Sequence, residues 1–301
     1  MTGLRVHQSV PQDIMVSYEG GVVSDGARYH PVGCEMRRSR RPAALLILGA
    51  MVTAGLACTD AAEPDARGDG AAELPHPELL TVDPTDFVWT QGWKPTDMGV
   101  ARGRVCLLTR ITGDFEGGGE FVEIVPSGGH WWLQGDSFQQ GIGAHARCLQ
   151  VSWYSGEYAV DVNEGQAWAN LAANPAVCGL TRVAGLFDGS GPWPSGLSID
   201  EVEIQLTASG SQLFVNAANE YLGARSRCFT PAKIVAQSLW DAGVPVTMHI
   251  YADPAFCFLT AVGGDFEGGG EYVEVYQAGG WWWLGGGTLQ DELFARARCV
   301  T

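Results

Sequence analysis

Two stretches of this sequence carry side chains whose types and spacing could do chemistry. The first is Asp-x-Glu-Gly-Gly-Gly-Glu, at Asp114, Glu116 and Glu120 and again at Asp265, Glu267 and Glu271. Three carboxylates around a bendable turn offer the clustered oxygens that a hard cation such as Ca²⁺ needs. The spacing matches neither an EF-hand nor a β-helix calcium repeat. The plainer reading is a hairpin turn, with glycines supplying positive φ and acids keeping the turn hydrated. Calcium is the one cofactor the sequence admits; otherwise none is expected.

The second stretch alternates rings and carboxylates. Phe121 and Glu123, and Tyr272, Glu274 and Tyr276, fall on one side of a strand whose other side carries Val122 and Ile124, or Val273 and Val275. The following strand holds Trp131 and Trp132 in one place and Trp281, Trp282 and Trp283 in the other. Adjacent tryptophans on a strand point to opposite faces, so at least one in each place leaves the core unless both faces are covered. Exposed rings beside carboxylates suit sugars, whose C–H faces stack on indole while hydroxyls bond to Glu. The ligand candidates are therefore Phe121, Glu123, Trp131, Trp132, Tyr272, Glu274, Tyr276, Trp282 and Trp283. The alternative is that the aromatics fill a small core or pair one protein surface with another. Catalytic constellations are missing. Four histidines follow Cys58 (His76, His130, His145 and His249), without metal-ligand spacing, and there is no nucleophile elbow. A two-carboxylate glycoside hydrolase is a distant third reading, because the acids recur with the repeat whereas an active site needs one asymmetric constellation.

The elements that must position these residues occur more than once. Cys106 to Cys148 and Cys257 to Cys299 align without gaps, with 24 of 43 positions identical. A diverged third copy runs from Cys178 to Cys228. Glu123, Glu203 and Glu274 each stand 25 residues before the closing cysteine, and the middle copy differs by eight extra residues in the Gly-rich turn. Upstream, Trp89 and Trp240 each precede the next opening cysteine by 17 residues. The segment from Thr230 to Gly243 could be a capped helix. Its counterpart around Trp89 reads as strand, so strand is expected in both.

These patterns predict an all-β protein of three small antiparallel modules, each a meander of about four strands. The predicted boundaries are 83–150, 151–229 and 230–301. The modules could close into one pseudo-threefold body or sit like beads, and a trefoil of twelve short strands would not need 244 residues. Cysteines bracketing each copy predict the disulfides Cys106–Cys148, Cys178–Cys228 and Cys257–Cys299. Each would close a loop worth about 4 kcal/mol in the chain-entropy account. Arg147, Arg227 and Arg298, one before each closing cysteine, are expected to pair with a nearby Glu.

Pro42 to Ala57 is an apolar run behind Arg37, Arg38, Arg40 and Arg41, which reads as a signal peptide over 36–57, with 1–35 an upstream extension translated from the wrong start. Ala54-Gly55-Leu56-Ala57-Cys58 resembles a bacterial lipobox, which would lipidate Cys58; ordinary cleavage near Ala57 or Ala61 is the alternative. Residues 58–82 read as a flexible tether. The expected location is the cell envelope, as a lipoprotein, or the medium. From Cys58 onward there are 12 Lys and Arg against 30 Asp and Glu, a net charge of −18. Such a surface repels phosphate backbones, so nucleic acid is excluded as a partner, and a membrane enters only through the lipid anchor.

The run Cys-[Leu/Phe]-Leu-Thr, Gly-x-Phe-x-Gly-Gly-Gly-Glu, Trp-Trp-Leu-x-Gly and Ala-Arg-Cys resembles repeated modules of exported proteins from myxobacteria and similar large-genome bacteria. The resemblance covers Cys106 to Cys299 and implies secretion. It brings no activity with it. Function is then a choice between a non-catalytic surface module binding glycan or envelope polymer and a structural lipoprotein whose aromatic faces mediate protein contacts.

Overall fold

The structure, a computed structural model, describes residues 80–139, 141–188, 200–218, 221–230, 232–288 and 293–301. The leader, Cys58, most of the tether and most of the middle copy's insert lie outside these. Every regular element described is a strand. The first segment supplies β1 (Phe87–Thr90), β2 (Thr96–Val100), β3 (Arg104–Thr112), β4 (Phe121–Ser127), β5 (His130–Asp136) and β6 (Gly143–Gln150). The middle one supplies β7 (Trp153–Tyr154), β8 (Tyr158–Val162), β9 (Gly165–Asn170), β10 (Val177–Gly185), β11 (Glu201–Thr207), β12 (Gly210–Ala217) and β13 (Leu222–Thr230). The last supplies β14 (Ile234–Asp241), β15 (Val246–Tyr251), β16 (Phe256–Gly263), β17 (Tyr272–Ala278), β18 (Trp281–Gly287) and β19 (Phe294–Val300). The chain beyond Thr230 thus continues as strand β14 rather than as a helix.

The strands form three antiparallel sheets, and none belongs to a single segment. Their orders are β1-β6-β3-β17-β18-β15, β2-β5-β4-β10-β13-β7 (with β8 also on β13) and β14-β19-β16-β11-β12-β9. The expected four-strand meander within each segment is therefore corrected. Its outer strands pair with each other (β3 with β6) and its central hairpin (β4 with β5) leaves for the next sheet. Beads are excluded by the same finding, because β4 bonds to β10, β11 to β16 and β17 to β3. Two buried apolar clusters, each drawn from all three segments, form the core.

The crossing point is the Gly-rich turn. The Phe115 N–H donates to the Phe266 carbonyl, Phe187 to Phe115, and Phe266 to Phe187, each at 2.9 Å, closing a ring of three backbone bonds. The three phenyl rings meet edge to face at 5.6–5.9 Å and are fully buried. Around them Gly113, Gly185 and Gly264 donate N–H to the carbonyls of Glu271, Glu120 and Asp200, again at 2.9 Å. These glycines have φ of +114°, +106° and +100°, and a Cβ on Gly185 would sit 2.0 Å from the Tyr221 carbonyl oxygen. Only glycine fits there.

The rest of the motif has equally local causes. Trp89 and Trp240 lie on Gly135 and Gly286, where a Cβ would come within 2.6 Å and 2.5 Å of the indoles. The glycine of Trp-Trp-Leu-x-Gly thus makes room for a tryptophan of another sheet. All three predicted disulfides form, each across neighbouring strands: Cys106 faces Cys148, Cys178 faces Cys228 and Cys257 faces Cys299. The tether ends earlier than expected. Leu80 is only 8 % exposed, and Val82 bridges Leu149, so 80–82 belong to the folded body.

Shared sheets and shared cores predict cooperative loss of structure. In urea, far-UV dichroism and tryptophan fluorescence should report one coincident transition, and Phe187→Ala should lower its free energy by about 3–5 kcal/mol. Three separable transitions would show that the segments fold independently.

Candidate ligand-binding faces

Alternation along β4 and β17 turns Phe121, Glu123, Tyr272, Glu274 and Tyr276 away from the core, as the sequence predicts. Their partners come from another segment. Arg110 on β3 bonds Glu274 at 2.9 Å and stacks on Tyr272 with its guanidinium carbon 4.2 Å from the ring centre. Arg182 on β10 bonds Glu123 at 3.1 Å and stacks on Phe121 at 4.6 Å. Half-buried pairs of this kind hold neighbouring segments in register. Phe121, Glu123, Tyr272 and Glu274 are thus engaged in joining segments within a shared sheet, and the Gln134 amide also donates to Glu123 at 2.7 Å.

The tryptophans divide as the strand period requires. Trp131 and Trp282 are fully buried, which corrects their placement among ligand candidates. Each indole N–H caps a backbone carbonyl, of Arg104 and Ala255 respectively. Arg227 lies over Trp131 at 5.2 Å and Arg147 over Trp282 at 5.3 Å. Of the three arginines expected to meet a Glu, only Arg227 does, through Glu157 at 3.3 Å. Arg147 approaches Asp86 at 3.5 Å, and Arg298 bonds the Gln237 amide oxygen instead.

Trp132 and Trp283 remain on the outside. Both indole N–H groups bond back to the hairpin, to the carbonyls of Ser127 and Ala278 at 3.0 and 3.1 Å, which fixes the ring planes. Trp132 lines a groove of about 410 Å³ with Lys94, Pro95, Val125, Ser127 and Gln134. Trp283 faces Tyr276 across β17–β18, and the row continues through Trp281 to Tyr251, whose rings stack at 4.0 Å. Lys94, Gln134, Trp281 and Tyr251 were missed by sequence reasoning. Trp281 stood in plain view beside its neighbours, but nothing local links Tyr251 to it.

The two acidic motifs come together at the turns. Burial raises the Asp114 carboxyl, with Glu267 adding to the shift, while Asp114 raises Glu116, helped by burial, Glu267 and Glu271. Glu271 braces its own turn, accepting the Gly268 N–H and the Thr288 hydroxyl, both at 3.0 Å. Glu120 is likewise buried, under Gly117. Among the described residues no three His, Cys, Asp or Glu side chains are arranged to hold a metal ion. Asp114, like Glu271, accepts a backbone N–H of its own turn, that of Glu116 at 3.1 Å.

Two further carboxyls stand out in the middle segment. Burial, reinforced by Asp188, pushes Asp200 up to about 6. Burial and the neighbouring Glu203 push Glu201 up to about 7. Comparison with protein-family models, with curated proteins and with solved structures found no match to this chain.

A carboxyl whose folded pKa is raised contributes stability that is complete below its unfolded value, near 4, and is lost as pH rises through the folded value. For Asp200 and Glu201 that window runs from about 4 to 7. The lowered groups, Asp83, Asp86 and Asp161, act in more acid solution. The melting temperature should therefore be higher at pH 5 than at pH 8, by roughly 3 °C or more. Glu201→Gln should flatten the profile, as differential scanning calorimetry would read directly.

Proposed function

We propose that this protein is a non-catalytic, exported binding protein whose outer sheet faces take up glycan or another envelope polymer. The observation that carries the reading is the pinning of Trp132 and Trp283. Two indoles at matching places in different sheets stand outside the core, each held by its N–H, so their ring orientation is set before a ligand arrives. Pre-set platforms lose little entropy on binding. Sugars stack on such surfaces, and polar groups for their hydroxyls are at hand in Gln134, Ser127 and Lys94 beside Trp132.

The wider reading rests on the same kind of support. Cyclic bonds at the Phe turns and matching residues around them support three copies of one unit about a pseudo-threefold axis. Three buried disulfides are compatible with an exported protein. The basic, then apolar run before Cys58 supports export and a lipid anchor. Chemistry of the hydrolase kind is disfavoured because Glu123 and Glu274 are committed to arginines.

A glycan array including cello-, chito- and xylo-oligosaccharides and peptidoglycan fragments is the test. At least one class should bind, and Trp132→Ala with Trp283→Ala should weaken it about tenfold or more, about 1.4 kcal/mol. Absence of binding, or binding indifferent to both changes, would sink the reading. In that event sedimentation showing stable self-association would favour the structural alternative.

A further inference from the structure

One recurring feature is used neither by the disulfides nor by the aromatic faces. A threonine stands three residues past each opening cysteine, as Thr109, Thr181 and Thr260. In each segment it is the residue that strand pairing skips. On one side the ladders step from Leu108 to Arg110, from Leu180 to Arg182 and from Leu259 to Ala261. On the other side, pairing with β17, β4 and β11 reaches only to Arg110, Arg182 and Ala261. A bulge of this kind re-aims the side chains beside it.

The three threonines are brought to one place. β3, β10 and β16 pack against one another. Their residues one past the cysteine converge: a Cβ on Gly179 would lie 2.7 Å from Leu107 and 2.8 Å from Phe258. The next residue of each strand, Leu108, Leu180 or Leu259, turns into the larger apolar cluster, whereas Leu107 and Phe258 belong to the smaller one. Alternation then returns the following residue, the threonine, to the side of Leu107 and Phe258. All three threonines are buried, at 1 %, 0 % and 1 % exposure.

Their hydroxyls are not explained by packing. Valine has the same branched shape and the same preference for strands, without a polar atom. The Oγ1 atoms of Thr109 and Thr181 are buried and have no hydrogen-bond partner in the protein. A buried hydroxyl without a partner costs free energy, and an internal water that meets two to four polar groups removes that cost. Three hydroxyls supply that number, and each can donate or accept, as water can. The threonines bring no carboxylate with them, so an ion at this place would be buried without a counter-charge, which favours a neutral ligand.

We propose that Thr109, Thr181 and Thr260 together hold one internal water, bonded by a hydroxyl from each segment. The threonine of the opening motif recurs because the site takes one hydroxyl from every copy. Like the ring of backbone bonds at the phenylalanines, it is a device that no segment completes alone. The site is independent of the glycan reading.

Oxygen-17 magnetic relaxation dispersion on the full chain detects long-lived internal waters and is the test. Thr109→Val/Thr181→Val leaves a single hydroxyl and should lower the dispersion amplitude by the share of one water. Thr109→Ser/Thr181→Ser keeps the hydroxyls and should leave the amplitude as in the parent. In urea, Thr109→Val and Thr181→Val should each lower the folding equilibrium constant severalfold, because each takes a bond from the water. An unchanged amplitude in the valine pair overturns the site, and so does an equal fall in the serine pair. Should the valine pair fail to fold, the single variants decide. Valine that is neutral or stabilising at both positions is the result for hydroxyls that meet no partner, and it overturns the site as well.

Discussion

The ring of backbone bonds among Phe115, Phe187 and Phe266 is the constraint on which the rest of the fold depends. Each N–H is satisfied by a carbonyl more than seventy residues away in sequence. A buried donor without its acceptor costs about 1–3 kcal/mol, so no segment can complete its own central turn. Packing adds to the same demand, because each phenyl ring closes its burial on the other two. Once the turns are docked, the strand leaving each of them emerges beside a strand of the next segment. Sheet sharing is a consequence of the turn.

That geometry has a cost at the opposite end of each sheet. β3 and β17 pair only from Arg110 to Thr112, and β10 and β4 only over Arg182 to Ala184. Past those points a second buried apolar cluster, with Leu107, Phe229, Phe256 and Phe258 among its members, packs the three segments together. Arg147 and Arg227 lie over buried tryptophans, and Arg298 bonds the Ile204 carbonyl. Disulfides fix the β3–β6, β10–β13 and β16–β19 pairs nearby.

Much of this was legible in the sequence, and the limit of legibility is physical. Period two told which residues of β4 and β17 face outward, because strand geometry fixes that without knowledge of neighbours. Disulfide partners could be read because each cysteine pair brackets one copy. What alternation cannot carry is the identity of the adjoining strand. β3 and β4 are consecutive yet lie in different sheets, so the meander was the wrong inference from correct strands. The same blindness hid the partners of Glu123 and Glu274. Arg110 stands 164 residues from Glu274, and no local pattern reports such a pair. The tryptophan runs showed that faces must differ along the strand, and Trp131 and Trp282 share the inward face of Leu133 and Leu284, while the Arg104 and Ala255 carbonyls that accept their N–H groups come from distant strands or loops.

The repeat also determines where chemistry can reside. Positions that recur in all three segments, the turn phenylalanines, the left-handed glycines and the cysteines, are consumed in closing one body, and altering any of them alters the fold. Outward positions differ: Lys94 and Trp132 in one sheet, Tyr251, Trp281 and Trp283 in another, Trp168 and Glu201 in the third. Because each sheet draws its outer face from two segments, a substitution in one copy changes one face and leaves the others intact. Differences at such positions give distinct surfaces on a single scaffold. Ala261 and Glu201, which stand in the third sheet where the others have an arginine–ring stack, illustrate how far this can go. Even the junction between segments differs, with Arg296 of the last segment pairing Glu203 of the middle one, so the third face carries a further carboxyl and keeps a bond to the neighbouring segment.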